Sequence, residues 1–158
     1  MTQTWVEQEG IDAALAVLRA MVTIADSTVE RNTEQLTLTQ FRALRVVVDR
    51  TPVTMGRVAR ELAMNPSSVT RACDRLVALN LLEKAPNPLN RRETLLAPTA
   101  PGRQLVDRVD RDRRRVLAGV LHRLDPAARV AAITALKRFA GAVEADESDS
   151  RSLLRHAT

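Results

Sequence analysis

Aromatic residues are nearly absent, at 2% of the chain: Trp5, Phe41 and Phe139, with no tyrosine. Single-stranded bases are held by stacking on aromatic platforms, so this scarcity excludes RRM-type and OB-type binding. One cysteine, Cys73, rules out an internal disulfide, and with only His122 and His156 beside it the chain cannot assemble a four-ligand structural zinc site. No metal and no cofactor is expected. Five glycines, at 10, 56, 102, 119 and 141, lie too far apart to build a phosphate-cradling loop. His122 falls in mid-helix and His156 in a polar stretch, so neither is placed to serve a nucleophile; no catalytic residue is nominated and no enzyme activity is expected. No apolar run approaches the about 18 residues that cross a bilayer, and the first ten residues, MTQTWVEQEG, lack the apolar segment of a secretory signal. The chain reads as cytoplasmic, with no membrane partner.

What is present is an ordinary globular balance, 45% hydrophobic and 27% charged over 158 residues, the length of one domain or of one small domain with helical extensions. Lys+Arg 24 against Asp+Glu 19 leaves a net charge of +5, which favours a polyanionic partner. Only Lys84 and Lys137 are lysines; the other cations are arginines. A planar guanidinium fork suits phosphate and guanine edges, although a GC-rich genome produces the same bias.

From Ile11 the apolar positions Ile11, Ala14, Leu15, Leu18, Met21, Val22, Ala25 and Val29 keep helical spacing, with Val17 and Ile24 off the stripe. A helix apolar on more than one side needs more than one neighbour. Thr39 is read as the N-cap of a second helix carrying Phe41, Leu44, Val47 and Val48, which ends at Thr51-Pro52. Thr54 caps a short third helix, Met55 to Leu62, and a tight turn follows at Ala63-Met64. Asn65-Pro66 starts a fourth helix, with an Asn cap and a proline where no N–H is needed. This helix turns Val69, Ala72, Cys73, Leu76 and Val77 inward and Ser67, Ser68, Thr70, Arg71, Asp74 and Arg75 outward. Two short apolar runs around Pro86 to Arg92 suggest a hairpin. Thr99 caps a long helix from about Ala100 to Leu124, Asp125-Pro126 starts the last helix, and from Asp146 the tail is polar and expected to be mobile. Short helix, tight turn and a second helix with small polar and basic residues on its outer face form a helix-turn-helix, and the hairpin makes it winged.

These segments resemble the MarR (multiple antibiotic resistance regulator) family of winged-helix transcription regulators. The likeness is carried by SSVTRACDRLVALNLLEK (Ser67 to Lys84), PNPLNRRETLL (Pro86 to Leu96) and TAPG (Thr99 to Gly102), and is specific from about Leu36 to Val106. It implies a recognition helix with Pro66, Ser67, Ser68, Thr70 and Arg71 at the major groove and Arg75 near a phosphate. It also implies a wing of Asn90, Arg91 and Arg92 at the minor groove, where a narrow A·T-rich groove attracts a guanidinium. Three positions depart from the family pattern: Asn90 replaces the wing aspartate, Asn80 the glycine before the strand, and Pro98 the leucine before Thr99. The resemblance further implies a small effector bound between dimerisation helices and winged domain, but no residue here identifies that site.

The expected fold is α+β, mainly α: residues 1–35 an N-terminal dimerisation helix, 36–99 the winged helix-turn-helix, 100–146 C-terminal dimerisation helices and 147–158 a polar tail. The first helix and the last two carry more apolar surface than a chain of this size buries alone, which points to a homodimer. Cys73 reads as a core filler rather than a redox sensor, and RVDRDRRR (Arg108 to Arg115) as a solvated, ion-paired helix face. The expected function is sequence-specific binding of double-stranded DNA as a ligand-responsive repressor on a pseudo-palindromic operator. The alternative is a winged helix used only for protein contacts.

Overall fold

The computed structural model describes residues 2–156, with side chains from residue 7 to residue 145. Within that span lie α1 (Thr2–Asn32), α2 (Leu38–Arg50), β1 (Val53–Thr54), α3 (Met55–Leu62), α4 (Pro66–Ala78), β2 (Leu82–Asn87), β3 (Asn90–Pro98), α5 (Ala100–His122) and α6 (Pro126–His156). The class is α+β and mainly helical. The chain divides into two compact units, Met1–Arg114 and Arg115–Thr158.

In the first unit a single core is filled from every element after α1's exposed half. Phe41, Leu44 and Val47 of α2 meet Val58 of α3, Val69, Cys73 and Leu76 of α4, and Leu82 and Leu96 of the strands. Each such aliphatic or aromatic side chain contributes about 1.5–3 kcal/mol on leaving water. The core reaches past residue 99, taking Leu105, Val106 and Val109 from the inward stripe of α5, and it includes Val29 near the end of α1. The sheet has the order β1-β3-β2, all antiparallel, with Val53 opposite Leu96 and Leu82 opposite Pro98. β1 has no signature in the sequence, because two residues are too few for alternation to register and its partner strand lies forty residues downstream.

Three local expectations change. The second helix begins two residues earlier than Thr39 suggests, capped by Thr37. Its hydroxyl accepts from the Gln40 N–H at 3.2 Å, and Gln40 Oε1 accepts from the Thr37 N–H at 3.0 Å. Only Thr37 has a glutamine three residues on to close this reciprocal pair. The stretch RVDRDRRR is ion-paired and solvated only in part: Arg108, Arg111, Arg114 and Arg115 are exposed, whereas Asp112 is buried and Asp110 and Arg113 are half-buried. Asp112 is only 6% exposed and takes Arg31 Nε at 3.0 Å and Asn32 Nδ2 at 3.3 Å from α1. Asp110 takes Arg45 Nη1 of α2 at 2.6 Å. Arg113 lies 5.0 Å over the Phe41 ring and donates to Thr28 Oγ1 at 3.1 Å. These acids and arginines join α1, α2 and α5, satisfying charges that burial alone would penalise. Finally, α6 continues to His156 where the polar tail was expected to leave the helix, since no proline or glycine after Gly141 stops it. The side chains of that tail, and the mobility expected of it, lie outside the described residues.

In the second unit the corner between α5 and α6 is closed by side chains. Asp125 Oδ1 accepts from the Ala128 N–H at 3.0 Å, and the Arg129 guanidinium donates to the carbonyls of Leu121 (2.9 Å) and Leu124 (3.0 Å). Leu121 O also accepts the Leu124 N–H at 3.2 Å, so the guanidinium supplements the last turn of α5, where carbonyls run out of i+4 partners. His122 sits on the exposed surface with Nδ1 2.7 Å from the Ala118 carbonyl oxygen. Val130, Leu136, Phe139 and Val143 of α6 are exposed, as are Ile11, Leu15, Leu18 and Val22 of α1 in the first unit.

Candidate nucleic-acid interface

The helix-turn-helix is α3, the turn at Ala63-Met64, and α4. Thr54 opens α3 by accepting the Arg57 N–H at 3.3 Å. The helix closes at Ala63, whose φ of 50° and ψ of 42° are left-handed. An alanine there bears a steric cost that glycine would escape. It is held by N–H bonds from Ala63 to Arg60 O (3.2 Å) and from Met64 to Ala59 O (3.1 Å). Asn65 then caps α4: its Oδ1 accepts from the Ser68 N–H at 2.8 Å and from the Ser67 hydroxyl at 2.9 Å, and Pro66 is the first helical residue.

Burial of Val69, Ala72, Cys73 and Leu76 fixes the rotation of α4 and so decides its outer face. Pro66, Ser67, Thr70, Arg71 and Arg75 are exposed there and Ser68 is half-buried. The Thr70 hydroxyl donates to the Pro66 carbonyl at 2.9 Å, and Arg71 Nη2 lies 3.3 Å from Ser68 Oγ. Asp74 shares this face, but its carboxylate pairs with Lys84 Nζ on β2. That pair ties the helix to the hairpin and draws the one acidic group of the row toward the wing. Sequence reasoning did not connect the two, since ten positions separate them across a change of element. Cys73 is buried behind the row; desolvation pushes its thiol up to about 11, with Lys84 opposing and Asp74 reinforcing the shift. Such a thiol is inert at neutral pH, as expected of a core filler.

The connection from α4 to the wing passes through Asn80 at φ 56°. This accounts for one departure from the family pattern, because asparagine is the residue after glycine best able to take a left-handed conformation. Asn80 O accepts the Thr99 hydroxyl at 2.7 Å and Leu81 O accepts the Thr99 N–H at 3.1 Å, so both roots of the hairpin are joined to the start of α5. Gly102 lies against this corner, where an added Cβ would stand 2.1 Å from Leu81 O.

In the wing, Asn87 stands opposite Asn90, leaving Pro88 and Leu89 as the loop. Asn87 Oδ1 accepts from the Leu89 N–H at 3.0 Å and its Nδ2 donates to Glu93 Oε2 at 2.9 Å. Asn90 Oδ1 accepts from the backbone N–H of Arg92 at 3.2 Å, so this side chain shapes the strand rather than steering the Arg92 guanidinium. Asn90, Arg91 and Arg92 are all exposed, and among the described residues no ion pair occupies Arg75, Arg91 or Arg92. Two groups of cations, on the outer face of α4 and along the wing, are thus presented free, in the geometry that lets a helix enter a major groove while a hairpin flanks it. Among the described residues no helix is long and apolar enough to cross a membrane.

Comparison with known proteins agrees with this geometry. Residues 34–93 match the pattern of the MarR family. The protein RV1404 of Mycobacterium tuberculosis superposes with a TM-score of 0.76 at 34% identity, over 84% of this chain and 90% of that one. The HTH-type transcriptional regulator Mb0904 of Mycobacterium bovis is 29% identical over 94 residues, which are 60% of this chain and 66% of that protein. The multiple antibiotic-resistance repressor of Listeria monocytogenes shares the fold, with a TM-score of 0.71 at 18% identity over 89% of this chain and 96% of that one.

Proposed function

The chain belongs to the MarR family of transcription regulators and has their winged-helix DNA-binding fold, and from that premise we propose that it is a repressor that binds a pseudo-palindromic operator as a homodimer. The observation that carries the proposal is the free cationic row on α4, Arg71 and Arg75 with Ser67 and Thr70, beside the free arginines of the wing. In this reading Arg71 reaches a base edge, Arg75 a phosphate, and Arg92 the minor groove. Dimerisation rests on the apolar residues exposed on α1 and on α6, which a second copy would cover. Two recognition helices about 34–36 Å apart would then read successive major grooves. A small effector that favours another spacing would release the operator, and the site of action is the cytoplasm.

The test is selection of bound sequences from random duplex DNA at about 150 mM salt. A two-fold symmetric consensus with half-sites one helical turn apart is expected. On that consensus, Arg71→Ala should cost about 1–3 kcal/mol and relax one base pair per half-site, whereas Arg75→Ala should weaken all sequences alike and make the salt dependence shallower by about one unit. Enrichment of no sequence, together with binding indifferent to salt, would refute the proposal and favour a winged helix used for protein contacts.

A further inference from the structure

The most exposed large hydrophobic residue described is Leu89, at 95%, on the tip of the wing. Nothing in the fold asks for it. The two-residue loop is built by Pro88 and by the Asn87 side chain, which holds the Leu89 N–H and reaches across to Glu93. The leucine side chain takes no part in those bonds, and such loops ordinarily carry glycine, asparagine or aspartate. A leucine in water forgoes the stabilisation that burial would bring. Its neighbours supply the context: after Asn90 come Arg91 and Arg92, exposed and free of ion pairs, so an apolar tip sits on a cationic base. A duplex minor groove fits both halves of that arrangement, since its phosphate walls attract guanidinium groups while its floor and sugar edges accept aliphatic side chains that wedge against a base step.

We propose that Leu89 is an apolar wedge that enters the minor groove beside each half-site and makes the protein select deformable pyrimidine–purine steps there. This rests on the DNA-binding reading above and adds to it a second source of specificity, one that reads deformability rather than base edges. The arginines bring the tip to the groove; the leucine then gains by leaving water only where the stack opens cheaply. Such steps are TA and CA/TG, and stiff A-tracts are disfavoured.

The experiment titrates wild type, Leu89→Ala, Leu89→Met and Arg71→Ala against selected operators whose flanks carry a TA step or an A-tract, at three salt concentrations. 2-Aminopurine is placed in turn at the flanking adenines. Leu89→Ala is expected to bind the TA-flanked operator about fivefold more weakly for each wing engaged, the scale for half-burying a leucine. Its salt slope should be unchanged because no counterion release is lost. Preference for TA over A-tract flanks and the rise in 2-aminopurine fluorescence should vanish in Leu89→Ala and survive in Leu89→Met. Unchanged affinity and flank preference in Leu89→Ala, while Arg71→Ala loses binding, overturns the wedge and leaves the DNA reading standing. So does a loss accompanied by a shallower salt slope, or an effect of Leu89→Ala confined to self-association without DNA. A wild type that retains no duplex overturns both.

Discussion

Replacing Gly102 by alanine tests whether the corner joining α4, the wing and α5 is as tight as it looks. The new methyl carbon would stand 2.1 Å from Leu81 O, 3.1 Å from the Leu81 carbonyl carbon and 3.3 Å from Leu44 Cδ1. The oxygen cannot simply rotate away, since it accepts the Thr99 N–H and the Leu81 N–H is itself held by Leu76 O at 2.9 Å. Either that bond opens or α5 moves off the corner by about an ångström. Overpacking of this kind costs about 1–3 kcal/mol, and a backbone obstacle puts it at the upper end. Loss of the Thr99 to Leu81 bond adds about 1 kcal/mol, and the better helix propensity of alanine returns up to about 1 kcal/mol. The expected net loss is about 3 kcal/mol, read as a shift in the urea midpoint, or as a fall of roughly 6–12 °C in Tm. Gly119 in α5 and Gly141 in α6 are the internal controls, because an added Cβ meets nothing within 4 Å at either. Alanine at those positions should be neutral or stabilising by up to about 1 kcal/mol. Since the corner also sets the wing against the recognition helix, operator affinity should fall for Gly102→Ala at temperatures where it remains folded. Stability equal to wild type in Gly102→Ala would refute the reasoning.

Ala63→Gly should stabilise the chain by up to about 1 kcal/mol, because relief of the left-handed alanine outweighs the extra freedom of glycine in the unfolded chain; calorimetry showing destabilisation would contradict it. Cys73 titrates at about 11 when folded against an ordinary 9.0. Between those values the unfolded chain has lost the thiol proton and the folded chain has kept it, so the contribution is fully present below pH 9 and is lost as pH rises toward 11, at about 1.4 kcal/mol per pH unit. With no tyrosine to titrate in that window, Cys73→Ala should visibly flatten the fall, and native thiol labelling near pH 7 should be slow. Leu18→Glu and Phe139→Glu place a carboxylate on apolar side chains that a single chain leaves 58% and 62% exposed. Each is expected to leave the monomer folded by circular dichroism and to shift light scattering at micromolar concentration from dimer to monomer, with loss of tight operator binding. A dimer that persists in either variant would free that helix from the interface.

The helix-turn-helix could be read from the sequence because its determinants are local. Thr54, Asn65 and Pro66 act within one turn of their helices, and the spacing of Val69, Ala72, Cys73 and Leu76 turns Ser67, Thr70, Arg71 and Arg75 outward whatever else the chain does. The hairpin was legible from its Pro/Asn loop for the same reason. The start of α2 lies two residues before the expected one, although the signal was present: Gln40 completes a capping box with Thr37 and with no other candidate. The role of Asn90 was harder, since an Asp-to-Asn departure suggests a weakened hold on the Arg92 guanidinium, whereas the amide oxygen is engaged with the Arg92 backbone.

Local chemistry, then, was enough to determine a winged helix-turn-helix with a basic outer face, because capping, turn residues and helical periodicity act over a few positions. What burial does to single residues was decided only by the tertiary structure. Asp112, in a run that reads as a surface face, is enclosed because Arg31 and Asn32, some eighty positions earlier, arrive beside it. Leu89, an ordinary core residue by type, is left in water because a tight loop projects it beyond any neighbour. Composition assigns the opposite preference to each, and contacts between distant segments reverse it: a charge is tolerated inside once its partners converge, and an aliphatic group stays outside when the backbone that carries it has no core within reach.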